Sequence, residues 1–458
     1  MRWSAIVITF IFCAALSLPA LAAPLSFDQF YVKVLDHYPK LKSAGADVEL
    51  SWAREMQASA GFWPGVSISA GYTESDDPVN VFGMLLRQER FTSADFDLNR
   101  LNTPRHQRDL QGGVHLRWPL FDAMQTVRRA RVAREQVKAA QADEAFVKME
   151  TFLMAHDAFT SALAMDRLLV AAEEAEKAAQ ADLKKAETLK DKGLVLGADY
   201  YAARVRYGRF SQAKNDMLRQ VKAMRMLLNI MMGEPIKNEI ALPAALPDAD
   251  FADTDAVALL EKAVASRPDF VAAGARINAG QEEVKRAKDS ALPTITLTAD
   301  GTNNRHDLFG HGGNNASGGI VAELPLFDRT RAGRQKEAVA LLSRAQNEAA
   351  ALKDATAVDI SRESARFDAL RANYPVVRAM AEDAAKAVEL LLPLYNEGRR
   401  SVMDLEDARE ARFNTLNAVE ELKAALYACE ARLYFLGGKM DEAGMKALTA
   451  RLTGAAHE

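Results

Sequence analysis

The sequence predicts a mainly α-helical protein with a small β part, built from two copies of a helix–β-hairpin–long-helix unit. Three observations predict it: anchor residues that recur in the same order in both halves, two long segments almost free of glycine, and four short segments of alternating apolar and polar residues. Pro39 and Pro64 return as Pro268 and Pro293. Gly112-Gly113 with Pro119-Leu120-Phe121-Asp122 return as Gly318-Gly319 with Pro325-Leu326-Phe327-Asp328. Gly193, Asp199, Arg204 and Gly233 return as Gly398, Asp404, Arg409 and Gly438, and the first copy carries 23 extra residues between Pro64 and Gly112.

Residues 1–22 read as a secretory signal peptide, with Arg2, an apolar run from Ala5 to Leu18, and the small-x-small site Pro19-Ala20-Leu21-Ala22. That run is short for a hydrocarbon core of about 30 Å. Its removal takes away Cys13 and leaves Cys429 unpaired, which excludes a disulfide framework and a cysteine metal cluster. The first repeat spans 23–238, with short helices near 26–37 and 39–61, a β-hairpin at 64–119, a long helix at 124–191 and a helix at 198–232. A linker at 239–254 follows. The second repeat spans 255–438, with helices at 255–266 and 268–290, a β-hairpin at 293–325, a long helix at 331–396 and a helix at 402–436; residues 439–458 read as a C-terminal tail.

The strands follow from period-2 alternation. Val66, Ile68, Ala70 and Tyr72 oppose Gly65, Ser67, Ser69 and Gly71; Val114, Leu116 and Trp118 oppose His115 and Arg117. In the second copy Ile295 and Leu297 oppose Thr294, Thr296 and Thr298, and Ile320, Ala322 and Leu324 oppose Val321 and Glu323. The long helices follow from a heptad seam, Ala130, Ala133, Val137, Ala140, Val147, Thr151, Met154 and Ala158, interrupted by Glu144. Such a rod measures about 100 Å at 1.5 Å per residue. Pro375 and Pro393 should kink the second rod or shift its register.

The apolar strand faces have no second sheet to cover them, and lipid is the surrounding in which they need none. Open sheet edges are not tolerated in lipid, and four strands are too few to close a barrel. Three chains would supply twelve strands to one shared barrel, with Ser67, Ser69, Thr294, Thr296 and Thr298 lining its lumen. The competing reading packs the hairpins on helices in a soluble periplasmic protein.

The signal peptide, the duplicated unit, the paired Pro-Leu-Phe-Asp motifs and the glycine turns between long helices together resemble the TolC-like outer-membrane efflux proteins. The likeness extends from about Leu25 to Leu436. It implies a homotrimer in the outer membrane of a Gram-negative bacterium, in contact with outer-membrane lipid. A twelve-stranded barrel would continue as a long helical coiled-coil tunnel in the periplasm. The function implied is the exit duct of a tripartite efflux or type I secretion system, opened by a periplasmic adaptor (membrane fusion) protein and an RND-type or ABC-type inner-membrane pump. Family members often carry a glycine soon after Pro-Leu-Phe-Asp; this chain has Ala123-Met124 and Arg329-Thr330.

The resemblance also assigns roles. Tyr395 and Arg400 correspond to a latch at the entrance, Asp404 and Asp407 to acidic rings across the pore, and Asp199 to a partner for Arg400. Gly193, Leu194, Val195, Gly398, Arg399 and Ser401 would be tips that dock the adaptor. On physical grounds, Asp404 and Asp407 are three apart and share a helix face, so threefold symmetry would gather six carboxylates that attract cations. A second reading stands beside it, in which Asp199 and Asp404 cap the helices after their glycine turns.

Other signals carry less. His306 and His311 lie in the Gly/Asn-rich segment 303–317, read as an extracellular loop, and Met224, Met226, Met231 and Met232 read as gap-fillers in an apolar seam. The net charge of −4 excludes a basic nucleic-acid binder. No Ser-His-Asp motif, helical metal-binding histidine pair or nucleotide loop is legible, so neither an enzyme nor a cofactor or metal is expected. The alternative function is a periplasmic coiled-coil adaptor or scaffold without a barrel.

Overall fold

The computed structural model describes residues 24–193, 195–248, 251 and 255–453. The signal-peptide segment 1–22 and Leu194 lie outside the described residues. In chain order, α1 (Phe27–His37) and α2 (Pro39–Ser59) lead through a 3-10 turn into β1 (Gly65–Ser75). Two short helices, α3 (Pro78–Arg87) and α4 (Leu98–Asn102), separate β1 from β2 (Gln107–Asp122). The rod α5 (Gln125–Asp191) and the returning α6 (Gly197–Met232) complete the first half. Then come α7 (Ala256–Ser266), α8 (Pro268–Asp289), β3 (Thr294–Arg305), β4 (Gly312–Glu323), the rod α9 (Arg329–Asn396), α10 (Val402–Leu436) and α11 (Glu442–Thr453).

The fold is the expected one: long helices and a four-stranded antiparallel sheet in the order β1-β2-β3-β4. The two rods are 67 and 68 residues long, and α9 runs through both Pro375 and Pro393 as one helix. The aspartate of each Pro-Leu-Phe-Asp motif starts the rod that follows. Asp122 accepts from the Thr126 backbone N–H at 2.7 Å, and Asp328 from that of Thr330 at 2.8 Å. Directly after Pro-Leu-Phe-Asp, Ala123 and Met124 adopt φ of 57° and 62°, a left-handed conformation that costs a non-glycine residue about 1–2 kcal/mol.

Contacts divide the chain into two compact units that do not follow the repeat boundary. One comprises residues 40–148 and 261–358, with the sheet and the sheet-proximal parts of both rods. There Ala139 and Ala142 of α5 meet Ala272 and Ala275 of α8 in a buried cluster, small side chains allowing the helices to approach closely. Arg128 of α5 joins them electrostatically, 3.0 Å from Glu282 and 2.8 Å from Asp289. The heptad seam is largely inside: Ala130, Ala133, Val137, Thr151 and Ala158 are buried, while Ala140, Val147 and Met154 are half-buried.

The other unit takes residues 1–39, 149–260 and 359–458. One of its buried clusters is aromatic. Phe27 of α1 stacks on Tyr31 and packs edge-on against Phe152, His156 and Phe159 of α5, at centroid distances of 5.4–6.0 Å. The segment read as a linker is pinned along its described part: Tyr427 donates to the Pro247 carbonyl at 3.0 Å, and Lys423 lies 2.7 Å from Asp248. The segment read as a tail contains α11, which packs on α1. Arg451 of α11 lies 2.6 Å from Glu430 of α10.

That last pair gives a pH signature. Burial lifts the Glu430 carboxyl from 4.5 to about 6, against the opposing pull of Arg451. The folded state therefore binds a proton across that window which the unfolded chain does not, so stability falls as pH rises through it. Glu430→Gln is expected to abolish this slope, read from urea midpoints on either side of the window. A slope that persists unchanged would assign the effect to another group.

One expectation is corrected here. Segment 303–317 is not an open loop: β3 runs to Arg305 and β4 starts at Gly312, leaving a turn at 306–311 that contains His306 and His311. Asn303 and Asn304 pair across the ladder with Asn314 and Gly313, so pairing with neighbouring strands overrides their loop-like composition. The interval between β1 and β2 is likewise structured, with α3 packed against both β2 and β4.

Candidate functional site

The helix tips are shaped by backbone chemistry. At the second tip Gly398 has φ of 71°; its N–H donates to the Tyr395 carbonyl at 3.0 Å and that of Arg399 to Leu394 at 2.9 Å. This double closure ends α9 in a left-handed residue, a position that suits glycine, and no atom lies within 4 Å of where a β-carbon would sit. Backbone geometry rather than crowding therefore demands the glycine. Ser401 and Asp404 then form a reciprocal capping box, each side chain accepting from the other's backbone N–H, at 3.2 and 3.3 Å. At the first tip Gly193 has φ of 69°, but Leu196 occupies the N-cap of α6 without a side-chain bond. Asp199 sits in the first turn, where the helix dipole favours a carboxylate.

Beneath the second tip, Tyr395 packs with Val388 and Leu405 in a small buried cluster. The Lys185 ammonium of α5 lies 3.9 Å from the Tyr395 ring centre and donates to Asn396 at 3.0 Å. Burial, then the nearby Glu406, pushes the Tyr395 hydroxyl up. Deeper in, Arg206 of α6 is the hub: it lies 3.0 Å from Glu406, 2.6 Å from Asp407 and 3.8 Å from Glu410, all on α10. Burial pushes the Glu406 carboxyl up while Arg206 opposes it, and only 5% of that side chain is exposed. Arg409 pairs with Asp182 of α5 and donates to the Ala178 carbonyl at 3.4 Å. These charges border a cavity of about 200 Å³ between α5, α6, α9 and α10, whose lining also includes Ala175, Ala179 and Phe210.

The structure brings some of the sequence-predicted residues together and separates others. Asp404 is half-exposed, in the capping box and 3.9 Å from Arg400. Asp407 is largely exposed although it bonds Arg206. Asp199 has no ion pair among the described residues of the chain, so within one protomer Arg400 turns to Asp404 instead. Tyr395 is buried in its own tip. Gly193, Gly398, Arg399 and Ser401 are exposed and Val195 is half-exposed. Sequence reasoning missed Arg206. A basic residue two positions after the duplicated Arg204 carries no motif, and its partners lie in the other repeat.

Comparison with known proteins decides the family. The profile of the outer membrane efflux proteins matches residues 30–234 and 259–439. The chain belongs to the outer membrane efflux protein family. Relatives of this outer membrane efflux protein include Protein CyaE of Bordetella pertussis, 25% identical over 74% of this chain and 68% of that protein. Outer membrane efflux protein BepC of Brucella suis is 23% identical over 77% and 76%. The fold is that of the Campylobacter jejuni CmeC outer membrane channel, with a TM-score of 0.78 at 16% identity over 93% of this chain and 89% of that one. It is also that of the outer membrane protein VceC of Vibrio cholerae, with a TM-score of 0.73 at 18% identity over 90% and 96%. As an outer membrane efflux protein, the chain is an exit duct in the outer membrane of a Gram-negative bacterium, with a large helical part in the periplasm. The reading as an adaptor without a barrel is not favoured.

On the sheet of this efflux protein, three side chains stand in line that no motif announced. Ser69 of β1 hydrogen-bonds His115 Nε2 at 2.8 Å, and His115 Nδ1 meets Asp300 of β3 at 2.7 Å. Gly113, opposite Ser69, makes room, since a β-carbon there would lie 2.9 Å from both Ser69 Oγ and His115 Nε2. The set ties three strands together on the polar face. The family is one of channel proteins rather than enzymes.

Proposed function

We propose that three copies of the chain close their sheets into one twelve-stranded barrel, and that the paired helix tips form a periplasmic constriction opened by an adaptor protein and an inner-membrane pump of the RND or ABC type. The observation that carries this reading is the sheet itself. β1 and β4 lie at its edges, 11 and 12 residues long, and each pairs with a single neighbour among the described strands. Those lengths suffice for the roughly 9–11 residues a tilted strand needs to cross a bilayer. Val66, Ile68, Tyr72 and Ile320 are at least 58% exposed on one face in a single chain. Joining β4 of one copy to β1 of the next removes both edges and turns that face to lipid.

At the helix tips, Asp404 and Asp407 of three copies would ring the axis, with Tyr395 and Arg400 fixing the inner coil and Asp199 nearby. Gly193, Leu194, Val195, Gly398, Arg399 and Ser401 would receive the adaptor. The trimer is tested by heat-modifiable migration in the outer-membrane fraction, where a protein that migrates only as a monomer overturns it. The ring is tested in planar bilayers. Asp404→Ala with Asp407→Ala is expected to weaken block by divalent cations added on the tip side, because the carboxylates that concentrate them are gone. Block of undiminished strength in the double variant would reject the ring.

A further inference from the structure

The segment between β1 and β2 lies at the end of the sheet opposite the long helices, because α2, α5, α8 and α9 all join the strands at the other end. Its position is fixed by buried polar groups. Gln88, just after α3, is 2% exposed; its amide donates to the Arg108 carbonyl at 2.7 Å and to Asp109 Oδ1 at 2.9 Å. The other oxygen of Asp109 accepts from the Asn304 amide at 2.7 Å, and Asp109 and Asn304 are 5% and 0% exposed. The Arg87 carbonyl that ends α3 accepts from the Asn315 amide at 3.4 Å. Gly313 sits so close beneath that carbonyl that a β-carbon there would collide with it.

Strand register shows which face is covered. Directly paired residues share a face, and successive residues alternate. Ser67 pairs with His115, His115 with Asp300, Gly113 with Thr302, Thr302 with Asn315, and Asn304 with Gly313. Asp109, Asn304, Gly313 and Asn315 therefore lie on the polar face with Ser67 and Ser69, opposite Val66, Ile68 and Tyr72. Segment 76–106 thus crosses β2, β3 and β4 on the polar side, at the end away from the helices.

We propose that segment 76–106 is a fixed rim across the outer mouth of the barrel, held by the Gln88–Asp109–Asn304 clamp, which sets an upper size for what can pass. This rests on the barrel reading above, in which the polar face lines the lumen. The clamp is buried and each of its members is hydrogen-bonded, so the rim narrows the mouth whether the helix tips are open or shut. Three copies would bring three such segments to one opening.

The test uses labelling from outside intact cells in a Cys429→Ser background. Ser67→Cys places a thiol on the lumen face, eight residues inside the outer end of β1, about 26 Å at strand spacing. Ile68→Cys places one on the apolar face. A small maleimide is expected to label Cys at 67, whereas a bulky polyethylene-glycol maleimide is not. Replacing residues 78–103 by a short Gly-Ser turn should restore labelling by the bulky reagent. So should Gly313→Leu, which keeps the segment in the chain but levers it off the sheet. Bulky labelling at 67 with the rim intact overturns the proposal, as does protection that persists in both rim variants. Ready labelling at 68 instead overturns the barrel reading, and the rim with it.

Discussion

Arg206→Ala is expected to loosen the periplasmic tip more than any other single change. Arg206 is the cation that faces Glu406, Asp407 and Glu410 together, and the arginine and Glu406 side chains are only 13% and 5% exposed. Removing it leaves a buried carboxylate without its partner, a loss that costs roughly 3–5 kcal/mol in comparable pairs. Glu406 can lessen the penalty by taking up a proton, a direction in which burial already pushes it. The consequence falls on the link between α6 and α10, the two helices that return from the tips. The variant should show larger resting conductance in planar bilayers and faster tryptic cleavage between α5 and α6. Adding Glu406→Leu should recover most of the stability, since replacing both members of a buried pair is far cheaper than removing one. Wild-type conductance and protease resistance in Arg206→Ala would remove this residue from the gate.

Phe27→Ala is expected to be the most destabilising change remote from the tip. The ring is 1% exposed and contacts Phe30, Tyr31, Phe152, His156 and Phe159. Truncating a buried phenylalanine costs about 3–5 kcal/mol, depending on how far its surroundings collapse. Here the cost should lie toward the upper end, because Phe152 and Phe159 belong to an extended rod whose backbone cannot move inward independently. α1 should then detach first, and α11 beside it should become accessible to protease. Urea unfolding of the detergent-solubilised protein measures the loss; a change below about 1 kcal/mol would show that α1 is dispensable to this unit.

The parts of the fold that were legible in the sequence are those with a period. Alternation in 65–72 and 294–298, and the alanine seam of 130–158, each repeat a local rule several times, and duplication states every rule twice. The resemblance added the family and the place in the membrane. What was not legible depends on single contacts between distant residues. α3 has ten residues, and its signal, Asp77 capping a helix with proline at its first position, is also a common turn signal. α11 is short, with apolar and polar residues interspersed, and only Leu448 and Leu452 at helical spacing mark its buried face. Arg206 looks like Arg204 and Arg209 until its partners on α10 are seen. At Ala123-Met124 the turn kept its geometry although the residue suited to it was absent, because the Asp122 cap and the start of α5 fix the conformation from both sides.

The pairing of β2 with β3 sets the order of events during biogenesis. Leu110 lies opposite Arg305, and Val114 opposite Gly301, so the centre of the sheet joins residues from the two repeats. A chain exported from its amino end presents β1 and β2, with their apolar face bare, well before β3 arrives. The whole of α5, α6, α7 and α8 must pass first. Closing so long an intervening segment is entropically slow compared with helix growth, so the first rod, α5, can form while the sheet still waits. Membrane insertion is therefore a late, concerted step: a chain stalled before β3 carries two fully grown strands and no means of sheltering them.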